Sequence, residues 1–291
     1  MVKELELYLA SFTGRHEGTL RNKRARLLHL FDFGFREDWN EQAVKEFYEH
    51  LKDKGLAVAT IKEVLREVKA FLRWLRKRHY AVFVDESAFR NLWQAYSLKA
   101  RKRKEVFTEK ELEKFFAYCD TKPPIYKVFF LLLLHSGLRA SEALSLTSED
   151  LVVKKLKDKE VLFIRVRQGK FGKEREVPMP LLSEEEKNFF KRFFASRKGK
   201  NLWQYILRYP KSVKEKTLNL WSVEKFCQLA EKELGFPVYP HKFRYTYISN
   251  LLSQGFSPHA VAQWAGHEKV KTTLEVYAVV LTEKELEKFA L

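Results

Sequence analysis

The sequence predicts a mainly α-helical protein with one small antiparallel β-sheet in its second half. Apolar residues recur at the spacing of an amphipathic helix through much of the chain, most clearly over residues 59–78. Strict alternation of apolar and polar residues replaces that spacing in three short segments between residues 151 and 179. A length of 291 residues favours about two domains.

About four helices are predicted in the first third of the chain. Three of them cover residues 2–12, 19–31 and 40–52. Glycines separate these segments, at Gly14, Gly34 and Gly55. The fourth helix starts near Ala59 and places its basic residues largely opposite one apolar stripe. That stripe consists of Ile61, Val64, Leu65, Val68, Leu72 and Leu75.

A basic run without apolar spacing separates two predicted domains. It lies in the stretch SLKARKRKEVF at residues 97–107. We predict a helical domain over residues 1–98, a linker over 99–106 and a second domain over 107–291. The linker is expected to lie along the phosphates of a polyanion, and the alternative is an ordinary solvated charge run. Its basic side chains are Lys99, Arg101, Lys102, Arg103 and Lys104.

The second domain is predicted to begin with a helix capped by Thr108, because Thr108 and Glu111 have the spacing of a capping box. Residues 125–134 are apolar almost all round, which predicts a central helix that ends at Gly137. The sheet follows, and helices are predicted from about Ser183 to the end of the chain. The predicted strands are 151–156, 161–166 and 174–179, with turns at 157–160 and 168–173.

The charge balance indicates a polyanionic partner. Lys and Arg number 55 against 38 for Asp and Glu, which gives a formal net charge of +17. Because 45% of the residues are hydrophobic, the chain can bury a core, which excludes a disordered basic tail. Residues 1–106 carry a net charge of +8 and residues 107–291 carry +9. This even distribution favours nucleic acid gripped by both domains, with an affinity that falls steeply as salt rises, over anionic lipid or an acidic protein.

Several other classes are disfavoured. Two cysteines, Cys119 and Cys227, are too few for a disulfide framework or a cysteine zinc site and suit the reducing cytoplasm. The longest strongly apolar stretch, residues 128–134, is much shorter than the roughly 20 residues that span a bilayer. The N-terminus is acidic where a signal peptide would be basic. Many Lys and Glu residues with few Asn or Gln indicate a thermophile.

Two motifs beside the predicted sheet contain candidate functional residues. Arg139 is predicted near the start of a helix, where backbone N–H groups and a guanidinium can bind one anion, and Glu142 could orient it. Lys170 lies between Gly169 and Gly172 in a predicted turn that could project it beyond the sheet. Taken singly, each motif has an ordinary alternative, namely a surface ion pair and a glycine-rich turn.

Two further motifs lie in the C-terminal helices. His241 and Arg244 are three residues apart and share a helix face, which places a neutral proton carrier beside a fixed positive charge. That pair suits chemistry on a phosphate diester, and the alternative is a structural histidine with a surface arginine. Further on, a short helix ends at Gly266, His267 follows in a loop, and a threonine pair precedes Tyr277.

The order of these motifs resembles that of the tyrosine recombinase (phage integrase) family, especially its Xer-like branch. The matching residues are Arg139, Lys170, His241, Arg244, His267 and Tyr277. The likeness covers residues 108–277 at motif level and the whole chain in architecture. It implies a helical core-binding domain over 1–98 and a mixed α/β catalytic domain over 107–291.

The resemblance also implies an activity, site-specific DNA recombination through a 3′-phosphotyrosyl intermediate. Arg139 and Arg244 would clamp the scissile phosphate and neutralise charge in the transition state. Tyr277 would attack phosphorus, and Lys170 would protonate the departing 5′-oxygen. Neither a metal nor a nucleotide cofactor is implied.

The remaining implied contacts concern phosphate, DNA and other subunits. His241 and His267 would bind the phosphate or assist proton movement at Tyr277, and they have no third ligand at a spacing that suits zinc. Lys173 and Lys242 are predicted to contact DNA. The expected partner is double-stranded DNA, with a monomer or weak oligomer when free and a tetramer on paired sites. Residues 281–291 could pack on a neighbouring protomer.

One departure from the family's common spacing lies just before Tyr277. In the common pattern two residues separate the threonine pair from the tyrosine, and here that position holds Val276. One inserted residue turns a helical side chain by about 100° and advances it by about 1.5 Å. Either the loop after Thr273 absorbs the change, or Tyr277 aligns only with DNA and a neighbouring subunit. Tyr245 and Tyr247 are predicted to lie in the core.

Three alternative functions fit parts of the pattern. A type IB topoisomerase uses a similar set of residues to relax DNA without exchanging strands. A catalytically inactive relative would accommodate the spacing before Tyr277. A non-catalytic DNA-binding protein would explain the charge, but it leaves the ordered set of candidate residues unexplained.

Overall fold

Two units of unequal size make up the chain. The computed structural model describes residues 2–12, 17–95, 105–167, 174–209 and 212–276. The units are Met1–Lys102 and Arg103–Leu291, and the division falls inside the predicted linker. In the part of the chain described here, no helix is both long and apolar enough to cross a membrane.

The first unit is built from helices. They are α1 (Val2–Ala10), α2 (Glu17–Phe33), α3 (Glu41–Asp53), α4 (Val58–Lys77) and α5 (Glu86–Ala95). Two short strands, β1 (Asp38–Trp39) and β2 (Phe83–Val84), pair in parallel. The apolar stripe predicted on α4 is confirmed, since all six of its residues are buried. The buried carboxylate of Glu67 on the same helix accepts hydrogen bonds from the Tyr8 hydroxyl at 2.9 Å and from Lys23 Nζ at 2.6 Å.

The second unit combines helices with two small sheets. Its helices are α6 (Glu109–Asp120), α7 (Pro124–Ser136), α8 (Ala140–Leu144), α9 (Glu184–Ser196), α10 (Leu220–Leu234), α11 (Pro240–Ser253) and α12 (Pro258–Ala265). Residues 270–276 are also helical. Its strands are β3 (Leu151–Leu156), β4 (Lys159–Val166), β5 (Arg175–Met179), β6 (Gln204–Tyr209) and β7 (Ser212–Thr217). The predicted fold class, mainly helical with small antiparallel sheets, is confirmed.

The larger sheet has the order β3-β4-β5, and both pairings are antiparallel. Its three strands are at the predicted places, but β4 begins at Lys159 and so takes up the second half of the predicted turn 157–160. The hairpin of β6 and β7 is a correction, because the sequence predicts helices throughout this region. All six residues of β7 are exposed, so this strand lacks the apolar alternation that predicts strands.

Helix α7 lies at the centre of the second unit and ends where predicted. Gly137 adopts φ +59°, the left-handed conformation that commonly ends a helix. A Cβ atom at this position would lie 2.2 Å from the Tyr247 ring. The hydroxyl of buried Tyr247 donates to the carbonyl of Pro178 on β5 at 2.8 Å, which joins helix α11 to the sheet. Tyr247 is therefore a core residue, as predicted.

We expect Gly137→Ala to destabilise the protein strongly. The left-handed backbone costs a residue with a Cβ about 1–2 kcal/mol, and overpacking against Tyr247 adds about 1–3 kcal/mol. Thermal denaturation measures the loss. The matched control is Gly255→Ala, which has φ +85° but no atom within 4 Å of the added Cβ. An equal fall in Tm for both variants would contradict a packing role for Gly137.

Candidate active site

The turn between α7 and α8 positions Arg139. This residue caps α8, and its backbone N–H donates to the Glu142 carboxylate at 2.9 Å. Its guanidinium donates to the same carboxylate at 2.8 Å, which confirms that Glu142 orients it. Because Glu142 already takes the Arg139 amide, that amide is not available to an external anion in this conformation.

Helix α11 positions His241 and Arg244. The Arg244 guanidinium is only 2% exposed and donates to the carbonyl of Gly137 at 2.7 Å and to the carbonyl of Ala265. The pKa of Arg244 is lowered to about 9, mainly because the group is buried and secondly because of the positive charge of Arg139. His241 is exposed on the same helix, and partial loss of hydration together with the charges of Arg244 and Arg139 lowers the pKa of its imidazole. This shift favours the neutral form of the imidazole.

His267 directly follows the C-terminal end of α12, whose last carbonyls bind Arg139 and Arg244. Gly266 ends this helix with φ +67°, and the backbone N–H of His267 donates to the Ala262 carbonyl at 2.9 Å. The imidazole Nδ1 of His267 lies 2.8 Å from the hydroxyl of Thr273, a fully buried residue. This contact orients the imidazole ring.

A third arginine, Arg175, joins this cluster and was not among the predicted site residues. Its guanidinium donates to both oxygens of Glu142, at 3.1 and 2.8 Å, and its Nε donates to the Trp264 carbonyl at 3.0 Å. A signal for it existed in the sequence, since alternation along β5 places Arg175 on the same face as Val177 and Met179. Both of those residues are fully buried, so a charged residue on that face requires a buried partner.

The buried carboxylate of Glu142 serves two arginines at once. Burial alone raises its pKa, but hydrogen bonds from Arg175 and the Arg139 amide, with the charges of both arginines, bring it below the ordinary value. Glu142 thus bonds Arg139 and Arg175, while the third guanidinium of the cluster, that of Arg244, bonds backbone carbonyls instead. Two positive charges in this cluster are left for an anion to compensate.

The prediction that Lys242 contacts DNA is not supported. Its side chain is 2% exposed, and its ammonium contacts the Glu111 carboxylate at 3.3 Å and the Pro237 carbonyl at 3.1 Å. The ammonium also lies 4.3 Å from the centroid of the Phe107 ring. Lys242 thus joins α11 to the start of α6 through its contact with Glu111. This is a structural role, and the buried ammonium is not placed to contact DNA.

The other predicted residues fall outside the described ranges. They are the linker residues Lys99, Arg101, Lys102, Arg103 and Lys104, the turn residues Lys170 and Lys173, and Tyr277. The described structure thus brings together four of the six predicted catalytic residues, which are Arg139, His241, Arg244 and His267.

Comparisons with known proteins identify the family of this chain. The model of the phage integrase family matches residues 105–284. A probable integrase/recombinase of Aquifex aeolicus is 35% identical, covering 94% of this chain and 93% of the relative. The tyrosine recombinase XerA of Thermococcus kodakarensis is 26% identical over 97% of this chain and 92% of its own length. Both relatives come from thermophiles, in line with the composition.

A solved structure shares the fold. The Tn1549 transposon integrase in complex with circular intermediate DNA has a TM-score of 0.69 and 20% identity, with 94% of each chain covered. At this level of identity the likeness concerns the fold alone. Together with the family match and the relative from Aquifex aeolicus, it leads to one conclusion: the chain belongs to the phage integrase family of tyrosine recombinases.

Proposed function

We propose that this chain breaks and rejoins double-stranded DNA at specific sites, with Tyr277 as the nucleophile of a 3′-phosphotyrosyl intermediate. The observation that supports this proposal is the convergence of Arg139, Arg244, His241 and His267 at the C-terminal end of α12. These residues come from separate parts of the second unit. Together with Arg175 and Glu142 they form one cluster, which carries excess positive charge.

The arginine pair has hydrogen-bond donors left for a phosphate. A guanidinium carries five N–H groups. The side chain of Arg139 donates to Glu142 and to the Gly266 carbonyl, and Arg244 donates to two carbonyls. Each group therefore retains N–H donors beyond these contacts. In the proposed reaction they bind the non-bridging oxygens and stabilise the charge of the pentavalent transition state.

The proposed step conserves a phosphodiester bond. The Tyr277 oxygen forms a bond to phosphorus while the bond from phosphorus to the 5′-oxygen breaks. The tyrosine gives its proton to a base, a role proposed for His241 or His267, and Lys170 gives a proton to the departing oxygen. Attack by the 5′-hydroxyl of another strand reverses these changes, so the joining step requires no nucleotide.

The proposed partner is double-stranded DNA, held as a tetramer on paired sites. We also place the reaction in the cytoplasm, because its substrate is cellular DNA. The basic linker and Lys173 are proposed to contact the backbone phosphates of that DNA.

Covalent capture tests this function. The probe is a pool of nicked duplexes with a randomised segment and the nick at successive positions, so that a short 5′-hydroxyl fragment can leave after cleavage. We expect an adduct that survives denaturation and whose DNA converges on one sequence, and we call that sequence the selected duplex. A second duplex with a free 5′-hydroxyl should then become joined to the bound strand.

Two outcomes would contradict the proposal. If no adduct forms on any duplex in the pool, the chain is an inactive relative or a DNA-binding protein. If adducts form and supercoiled plasmid is relaxed but no strand passes to a second duplex, the topoisomerase alternative is correct.

Lys170→Ala is expected to slow cleavage of an ordinary phosphodiester by roughly 100-fold, the scale of a lost general acid. A bridging 5′-phosphorothiolate carries a sulfur that leaves without a proton, so it should restore much of the rate. Single-turnover cleavage of both versions of the selected duplex measures this effect, with Lys173→Ala as the matched control. Rescue of Lys173→Ala, or no rescue of Lys170→Ala, would contradict the assignment.

A further inference from the structure

The end of helix α12 is held by three arginines from three other elements. The last carbonyls of a helix lack partners within it. Here three successive carbonyls accept side-chain N–H groups, Trp264 from Arg175, Ala265 from Arg244 and Gly266 from Arg139. The helix dipole adds partial negative charge at this end, which favours the arrangement. The position of His267, the next residue, thus depends on this contact set.

Arg175 also competes with Arg139 for one carboxylate. It binds both oxygens of Glu142, while the side chain of Arg139 binds one of them, at 2.8 Å. Glu142 is 5% exposed, so solvent contributes little to its stabilisation. If Arg175 were removed, Arg139 would become the main charged partner of a buried carboxylate. Its guanidinium would then be drawn into a two-point contact, which would use donors that otherwise bind phosphate.

The lack of a side chain at Gly266 leaves space for the Arg175 guanidinium. A Cβ atom added at Gly266 would lie 3.0 Å from the Arg175 guanidinium carbon. Arg175 is also the first residue of β5, two residues after the segment 168–173 that contains Lys170. Its contacts therefore connect the start of β5 to Glu142 on α8 and to Trp264 on α12.

We infer that Arg175 is a positioning residue for strand cleavage, which holds Arg139 free for the phosphate by neutralising Glu142 and which fixes the end of α12 beside His267. This inference rests on the proposed function. Arg175 touches protein groups and acts on the reaction through Arg139 and His267.

The test compares single-turnover cleavage of the selected duplex at saturating protein, together with DNA affinity and Tm. Arg175→Met should cleave roughly 10- to 100-fold more slowly, the usual effect of losing a residue that orients a catalytic ligand, with DNA affinity largely retained. Arg175→Lys should remain slow, because an ammonium cannot bind both Glu142 oxygens and the Trp264 carbonyl in one plane. The matched control is Arg165→Met on β4, which removes an arginine of the same sheet whose ion pairs are 3.9 and 4.0 Å long.

The cleavage rate of a double variant distinguishes neutralisation of Glu142 from a merely structural role of Arg175. Glu142→Gln removes the carboxylate charge but keeps a side chain that can cap α8. If Arg175 acts by neutralising Glu142, the combination Glu142→Gln with Arg175→Met should cleave faster than Arg175→Met alone. A merely structural role predicts the opposite, because two losses of packing and hydrogen bonding add.

The outcomes separate this inference from the proposed function. If the wild-type chain forms no adduct, the proposed function fails and the inference fails with it. If the wild type cleaves and Arg175→Met cleaves at the same rate, only the inference is wrong. A double variant slower than Arg175→Met, or a normal rate for Arg175→Lys, also overturns it. Should Arg175→Met not fold, Arg175→Lys with and without Glu142→Gln provides the same comparison.

Discussion

Arg139→Ala should lower the rate of DNA cleavage by about 1000-fold or more, the scale at which a transition-state charge clamp contributes to phosphoryl transfer. Binding of the duplex should persist, because many other basic side chains contribute to a net charge of +17. Single-turnover cleavage and a binding titration on the selected duplex separate the two effects. Arg192→Ala, at an exposed position on α9, is the matched control for loss of one charge.

The second arginine of the clamp should behave differently. Arg244 is buried and satisfies the carbonyls of Gly137 and Ala265, so Arg244→Ala leaves two buried acceptors without these donors. Each unsatisfied group costs about 1–3 kcal/mol, and we expect a lower Tm as well as slow cleavage. If Arg139→Ala loses affinity in proportion to rate, or if it cleaves like Arg192→Ala, the clamp assignment is wrong.

The elements that sequence predicts well here are those set by local interactions. The stripe on α4 follows from helical spacing alone, and the capping box of Thr108 and Glu111 forms as predicted, with contacts of 3.2 and 2.9 Å. The ends of α7 and α12 at Gly137 and Gly266 likewise depend on one residue's backbone preference.

The features that could not be predicted from the sequence depend on partners that are far away along the chain. Arg175 is recognisable as part of the site only with Glu142 and Trp264, which are 33 and 89 residues away. Lys242 is basic and adjoins the proposed site in sequence, but Glu111, 131 residues away, pairs with it in the interior. Local pattern places Arg175 on a buried face of β5 but identifies neither its partners nor the partner of Lys242, so the roles of both residues depend on contacts that the sequence does not reveal.

Tyr277→Phe should abolish the covalent adduct while leaving the fold and DNA binding intact. The change removes one oxygen, the proposed nucleophile, and keeps the ring. The position that the family's common spacing gives to tyrosine holds Val276, which is fully buried in the core. Denaturing gels of the wild type and the variant with the selected duplex measure the adduct. The matched control is Tyr245→Phe, whose altered ring lies 6.1 Å from His241 and which should still form the adduct.

The most direct test of the account is to map the phosphate in the trapped adduct. The wild-type adduct formed on the selected duplex is digested with protease and nuclease, and the modified peptide is sequenced by mass spectrometry. The account predicts one modified tyrosine, Tyr277, joined through its phenolic oxygen to a 3′-phosphate. Phosphate on Tyr245 or Tyr247, or an adduct that persists in Tyr277→Phe, would contradict it.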